Sequence, residues 1–287
     1  MTAVGTQSGY ASRTMGMAGA DTARRARERS RRARDRQLAY QEEKAERARG
    51  READYIRDMR AKSAAVRAVL EQVRPIPPDA RVLEVGSGAH GLVFFFGSSR
   101  ATGCDPLARE YADLFPAWQR RVATLSAEGE SLPFPDAVFD VVLCDNVVDH
   151  ALDPGRIVSE LARVLSPGGL LFFTVNVHHR VYEWAARAVG VLEDAGVKVP
   201  IAAFADHTVH LTPDAARALF AGLPLDIVET NCERRSRRGS RPRRATDVIT
   251  ALFFKNALFH LVAVRTPSPA TARADAGAAR DSRFLSC

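Results

Sequence analysis

The chain has 287 residues, 46% of them hydrophobic, which is enough for one sizeable buried core with extensions. No apolar run reaches the ~18 residues needed to span a bilayer, and the first residues lack the apolar stretch of a secretory signal, so the sequence predicts neither. The net charge of +7 is unevenly placed: residues 1–62 hold 16 Lys+Arg against 9 Asp+Glu, 63–232 hold 13 against 21, 233–244 hold 7 against 1, and 245–287 hold 5 against 3. An acidic centre with two basic appendages argues against a core that presents a broad nucleic-acid-binding face. Cys104, Cys144, Cys232 and Cys287 are scattered without pairing or metal-type spacing, which predicts reduced thiols, a cytoplasmic setting and no metal centre.

In chain order, residues 1–20 read as disordered. Residues 21–74 form an Arg-rich extension with Gly50 as its only glycine; 21–72 should make one or two helices. Apolar residues are sparse until Tyr55, Ile56, Met59, Ala64, Val66 and Leu70, so only the part after about Asp54 is expected to pack on a core. Pro75, Pro77 and Pro78 mark a linker into a domain spanning 75–265. There, strands are predicted at 81–85, 100–104, 121–125, 139–144, 170–176, 225–230 and 257–265, with helical patterns between the earlier ones, for example Arg156 to Leu165. Apolar strands joined by helical crossovers predict a mostly parallel α/β sheet covered on both faces. Residues 231–256, including the basic run 233–244, read as a loop insert, and 266–287 as a disordered tail.

The segment RVLEVGSGAHG (81–91) carries the first chemical signal. A strand delivers Glu84 into a turn built on Gly86, Ser87 and Gly88, where a Cβ would block the approach of a ligand to the backbone. Gly86, Gly88 and Gly91 also fit the G-x-G-x-x-G dinucleotide pattern, with Asp105 at a suitable distance for a ribose contact, so a dehydrogenase is an alternative at this point.

Downstream segments separate the two readings. ESLPFPDAVFDVVLCDNVVDH (130–150), Asp153-Pro154 and ELARVLSPGGLLFFTVN (160–176), in this order and spacing, resemble the class I (Rossmann-like) S-adenosylmethionine-dependent methyltransferases of the small-molecule type, over about residues 80–230. The resemblance implies a seven-stranded, mostly parallel sheet with helices on both faces and S-adenosyl-L-methionine as cofactor. It implies that Glu84, Gly86, Ser87 and Gly88 line the methionine end, and that Asp105 accepts from the ribose hydroxyls. Glu128 would meet the adenine amino group and Gly129 would lend its backbone there. Asp145 and Asn146 would face the methionyl part and the acceptor. Glu130 and His150 occupy motif positions for which a local hydrogen bond is the competing role. The family loop reads Glu-x-Gly-x-Gly-x-Gly, whereas here His90 intervenes and displaces the third glycine to Gly91, which puts the roles of both in question. Leu92 to Phe96 is expected to be a buried helical turn.

Methyl transfer from a sulfonium needs alignment, and a base only where the acceptor must lose a proton. His150, His178, His179 and His207 are the candidate bases, with His210 close by, all in segments that follow strands or helices. Tyr182, Trp184, Val191, Leu192, Val199, Ile201 and Phe204 are candidates for an apolar acceptor pocket. A small-molecule acceptor is the favoured partner. RNA or protein, reached through the basic helix and the 233–244 loop, is the second reading. A non-catalytic cofactor-binding regulator is the third.

Overall fold

The computed structural model describes residues 31–32, 34–180, 209, 211–234 and 257–267. Helix α1 covers residues 34–48 and ends at Gly50, whose φ of +74° turns the chain at little steric cost. Helix α2, Glu52–Val73, buries Met59, Ser63, Val66 and Leu70, a 4-3-4 spacing that draws one stripe along its surface. It stops at Arg74, which is extended ahead of Pro75.

Seven strands follow: β1 Arg81–Val85, β2 Arg100–Cys104, β3 Ala123–Leu125, β4 Phe139–Asp145, β5 Leu165–Val177, β6 Leu225–Arg234 and β7 Ala257–Arg265. They lie in the order β3-β2-β1-β4-β5-β7-β6, parallel except that β7 runs antiparallel to both β5 and β6. This is the seven-stranded, mostly parallel α/β sheet expected from the sequence. Successive residues of a strand face opposite sides. Val141 and Leu143 of β4 therefore join the layer containing Val66 and Leu70 of α2. Val142 and Cys144 join the layer of Ile157, Val158 and Leu161. Burial on both faces is why β4 and β5 read as unbroken apolar runs.

The connections include α3 (Ala108–Leu114), α4 (Pro116–Gln119), α5 (Pro154–Val164) and α6 (Pro213–Ala218), with a 3-10 turn at Leu92–Phe95. Helix α5 begins two residues before the expected Arg156. Asp153 is its N-cap, accepting from the Arg156 amide at 3.0 Å, and Pro154 occupies the first turn. The sheet is longer than expected at two places. Strand β5 starts at Leu165, because the Ser166–Gly169 segment continues the strand through a bulge opposite Phe139–Val141. Strand β6 runs to Arg234, so residues 231–234 are strand and not loop. The rest of the basic run, 235–244, and the predicted disordered segments 1–20 and 268–287 lie outside the described residues.

The extension departs further from expectation. Although α1 precedes Asp54, its Gln41 and Ala48 are buried and Ala45 packs on the cluster of Met59, Tyr111, Phe115 and Trp118. The inward stripe, Arg34, Gln37, Gln41, Ala45 and Ala48, has helical 3-4-4-3 spacing but consists of polar and small residues. A search for apolar periodicity passes over it. Among the described residues, no helix is long and apolar enough to cross a membrane.

Candidate active site

In this strand order the crossovers leave β1 in opposite directions toward β2 and β4. That opens a crevice at the carboxyl ends of the strands. A cleft of about 760 Å³ lies there. Glu84, Gly86, Ser87, Gly88, Asp105, Glu128, Gly129, Asp145 and Asn146 all line it.

The three glycines of the turn serve different ends. Gly86 has φ +70°, and a Cβ there would stand 2.3 Å from Val147 Cγ2. At Gly91 a Cβ would meet Ser87 O at 2.4 Å and Glu84 Oε2 at 2.5 Å. Both are required by protein packing, and this settles the displaced third glycine: it makes room for the Glu84 carboxyl. Gly88 differs, since a Cβ there would find nothing closer than Gly86 O at 3.9 Å. Its missing side chain leaves open space in the cleft, the cradle a bound ligand needs.

Glu84 is 1% exposed and accepts from the Leu92 amide at 3.1 Å and the Val93 amide at 2.8 Å. It thus fastens the 3-10 turn to the glycine loop. Burial raises its pKa to about 8, opposed by the Val93 and Leu92 amides and by Lys62, and assisted by Asp145. The unfolded chain ionises near the ordinary value of 4.5, so between there and about pH 8 the native state holds one more proton. Stability is therefore expected to fall as pH rises across that window. Glu84→Gln should flatten the dependence, read as urea midpoints at pH 5 and pH 8; an unchanged slope would assign it to another group.

Asp105, at the end of β2, accepts from the Gly88 amide at 3.0 Å through Oδ2 and from the Leu107 amide at 2.8 Å through Oδ1. Burial pushes its pKa up, while those two amides pull it down. Each carboxylate oxygen retains acceptor capacity, which suits a pair of neighbouring hydroxyls. At the β3 end, Glu128 is half exposed and pairs with Arg34 of α1 at 2.7 Å. The loop carrying it is tied to α5. Arg163 donates to Phe134 O at 2.8 Å and Leu132 O at 3.2 Å, and Glu160 accepts from the Leu132 amide at 2.8 Å. The Leu-Pro-Phe segment is thus a structural anchor. Glu130 accepts from the Leu152 amide at 3.0 Å, a loop-fixing hydrogen bond.

At the end of β4, Asp145 accepts from Thr174 Oγ1 at 2.7 Å and from the Lys62 ammonium of α2. Asn146 has φ +61°, and its Oδ1 accepts from the Asn176 amide at 3.1 Å and from the Asn176 side chain. His90 also lines the cleft. Tyr55, Phe115 and Trp118 pack around its ring, and burial lowers its pKa to about 4, so it is neutral at physiological pH.

Of the candidate bases, His150 lines the cleft, with its Nε2 3.9 Å from Asp149 Oδ2. His178 is buried at the end of β5, where its amide donates to Leu211 O at 2.8 Å, and His179 follows, partly exposed. Neither lines this cleft. His207 and His210 lie outside the described residues, as do Tyr182, Trp184, Val191, Leu192, Val199, Ile201 and Phe204. The motif reading missed Arg34, Arg36, Gln37, Tyr40 and Gln41 of α1 and Lys62 of α2, which close the cleft from outside the motif-bearing segment.

Sheet order, glycine turn and strand-end acids together define the class I S-adenosylmethionine-dependent methyltransferase fold. Residues 83–173 match the family profile described as "Methyltransferase domain". An uncharacterized methyltransferase of Mycobacterium leprae (strain TN) is 34% identical over 105 residues, covering 35% of this chain and 39% of that one. One from Mycobacterium sp. (strain JLS) is 37% identical over 103 residues, covering 35% and 40%. The match thus spans about two fifths of the length of these curated relatives. Among solved structures, a Bacillus halodurans protein named as a methyltransferase superposes with TM-score 0.52 at 15% identity, covering 70% of this chain and 99% of that one. A geranyl diphosphate methyltransferase in complex with S-adenosylmethionine gives 0.51 at 13%, covering 71% and 85%. At these identities the superpositions bear on the fold.

Proposed function

We propose that this protein transfers a methyl group from S-adenosylmethionine to a small-molecule acceptor. The observation that carries the reading is the row of acidic side chains at the carboxyl ends of adjacent parallel strands, Asp145, Glu84 and Asp105, continued by Glu128 beyond β3, around a glycine turn whose Gly88 leaves its Cβ space open. The residues fit the cofactor. Asp105 has acceptor capacity for a diol, Glu128 and Gly129 flank the adenine end, and Gly86, Ser87, Asp145 and Asn146 flank the amino-acid end. The bound sulfonium supplies both the electrophilic methyl and the leaving group. The chain's own part is to orient the two reactants and exclude water. Among the described residues, two histidines line the cleft; the His90 ring is enclosed by Tyr55, Phe115 and Trp118, so we assign His150 the proton-accepting role where the acceptor carries a hydroxyl or amine.

The acidic centre of the chain favours a small acceptor over a polyanion. Calorimetric titration with S-adenosylmethionine and with NADH tests the cofactor, and incubation with labelled S-adenosylmethionine and either a metabolite extract or total RNA tests the acceptor. Binding of the sulfonium compound alone and label in the metabolite fraction are expected. Binding of NADH alone would convert the glycine turn into a dinucleotide site. Label confined to RNA would overturn the small-molecule assignment.

A further inference from the structure

Lys62 lies on α2, outside the matched segment 83–173, and no motif pointed to it. Its ammonium nevertheless reaches the cleft and pairs with Asp145 at the end of β4. The partners are unequal: the Asp145 side chain is 15% exposed and the Lys62 side chain 58%. The carboxylate is fixed, since Thr174 Oγ1 holds its other oxygen at 2.7 Å, while the ammonium retains donors for a further partner.

The charges along the cleft are arranged in order. Asp105 and Glu128 stand at β2 and just beyond β3, with Arg34 at the outer end on Glu128. Asp145 stands at the opposite end, on β4, with Lys62 of α2 on it. Strands lie about 4.8 Å apart, so the ends of β2 and β4, with β1 between them, are separated by about 10 Å. That is the reach of a nucleoside bearing an amino-acid side arm. A nucleoside whose hydroxyls meet Asp105 would place the head of that arm beside the Lys62–Asp145 pair. This head is a zwitterion, an α-ammonium next to an α-carboxylate. A preformed carboxylate–ammonium pair is its electrostatic complement, anion to cation and cation to anion. The other cleft-lining acid at this end, Glu84, has both oxygens engaged by the Leu92 and Val93 amides.

We propose that Lys62, held by Asp145, is the residue that reads the α-carboxylate of the cofactor, with Asp145 serving the α-ammonium; this rests on the cofactor assignment above. The pair makes α2 part of the binding site. It ties selection of the intact amino-acid head to a helix that also holds the 3-10 turn, through Ser63 to Leu92 O and Arg67 to Phe96 O.

The test is calorimetric titration of the full chain and its Lys62→Gln and Lys62→Arg variants. The probes are S-adenosylhomocysteine, decarboxylated S-adenosylmethionine, which keeps the amine, and 5′-methylthioadenosine, which lacks both groups. Lys62→Gln should weaken S-adenosylhomocysteine by roughly 10- to 100-fold, the value of one charge-assisted hydrogen bond. Lys62→Arg should restore part of this. 5′-Methylthioadenosine should bind both forms within about twofold. Decarboxylated S-adenosylmethionine should bind the Gln variant as well as wild type or better, because an unpaired Asp145 then faces its amine. Equal weakening of all three probes would make Lys62 a scaffold for the pocket and overturn the proposal, as would no weakening of any. Wild type that binds neither S-adenosylhomocysteine nor S-adenosylmethionine would remove the cofactor assignment itself.

Discussion

Asp105→Ala is expected to weaken S-adenosylhomocysteine binding by roughly 100-fold or more, the combined value of two hydrogen bonds to a charged acceptor. The side chain has two tasks that the variant removes together. Its oxygens hold the Gly88 and Leu107 amides, and thereby the shape of the glycine turn, and they keep acceptor capacity at the cleft that the residue lines. Asp105→Asn separates these tasks. It keeps one acceptor oxygen but turns an NH2 toward an amide that needs an acceptor, so it should cost about 1–3 kcal/mol of stability by urea unfolding. If calorimetry shows that either variant binds S-adenosylhomocysteine like wild type, the nucleoside does not lie over Asp105 and the orientation assigned to the cleft is wrong.

Gly86→Ala adds a single methyl group and should be strongly destabilising. The left-handed backbone at φ +70° costs about 1–2 kcal/mol for an alanine. The new Cβ would overlap Val147, whose two methyls stand 2.3 and 2.7 Å from it, and relieving such overpacking costs about 1–3 kcal/mol more. A total loss of about 2–5 kcal/mol is expected in urea unfolding. Because the obstacle is one side chain, Gly86→Ala combined with Val147→Ala should recover the steric part and leave the backbone part. Failure of the double variant to recover anything would mean that backbone conformation alone makes glycine necessary.

Much of this architecture was legible in the sequence, for identifiable reasons. β1, β2 and β7 fall at the expected bounds because turn-forming residues follow each of them, Gly86 after β1, Asp105-Pro106 after β2 and Thr266-Pro267 after β7. The runs ending at Asp105 and Asp145 located those acids at the mouth of the crevice. What the sequence hid was contact made without hydrophobicity. Helix α1 closes the cleft with Arg34, Gln37 and Gln41, and Lys62 enters from the polar flank of α2. An arginine-rich helix looks solvated until its tertiary partners are known. The start of β5 was hidden by Pro167, Gly168 and Gly169, which signal a turn but here form a bulge in a continuing strand. The role of Gly91 depends on where the Glu84 carboxyl lies, a fact of three dimensions that spacing does not encode.

The place of β7 bears on how the sheet can be assembled during synthesis. Residues 257–265 are made after the other six strands, yet they lie between β5 and β6 and bond to both. While the ribosome is still adding the preceding segment, β5 has β4 on one side and an open row of amides and carbonyls on the other, along a stretch that is wholly buried in the finished fold, Leu170–Val175. β6 has no partner at all until β7 arrives. The sheet therefore closes in one late step by insertion from the C-terminal side. Until then the nascent chain carries the kind of unprotected strand edge on which neighbouring chains aggregate.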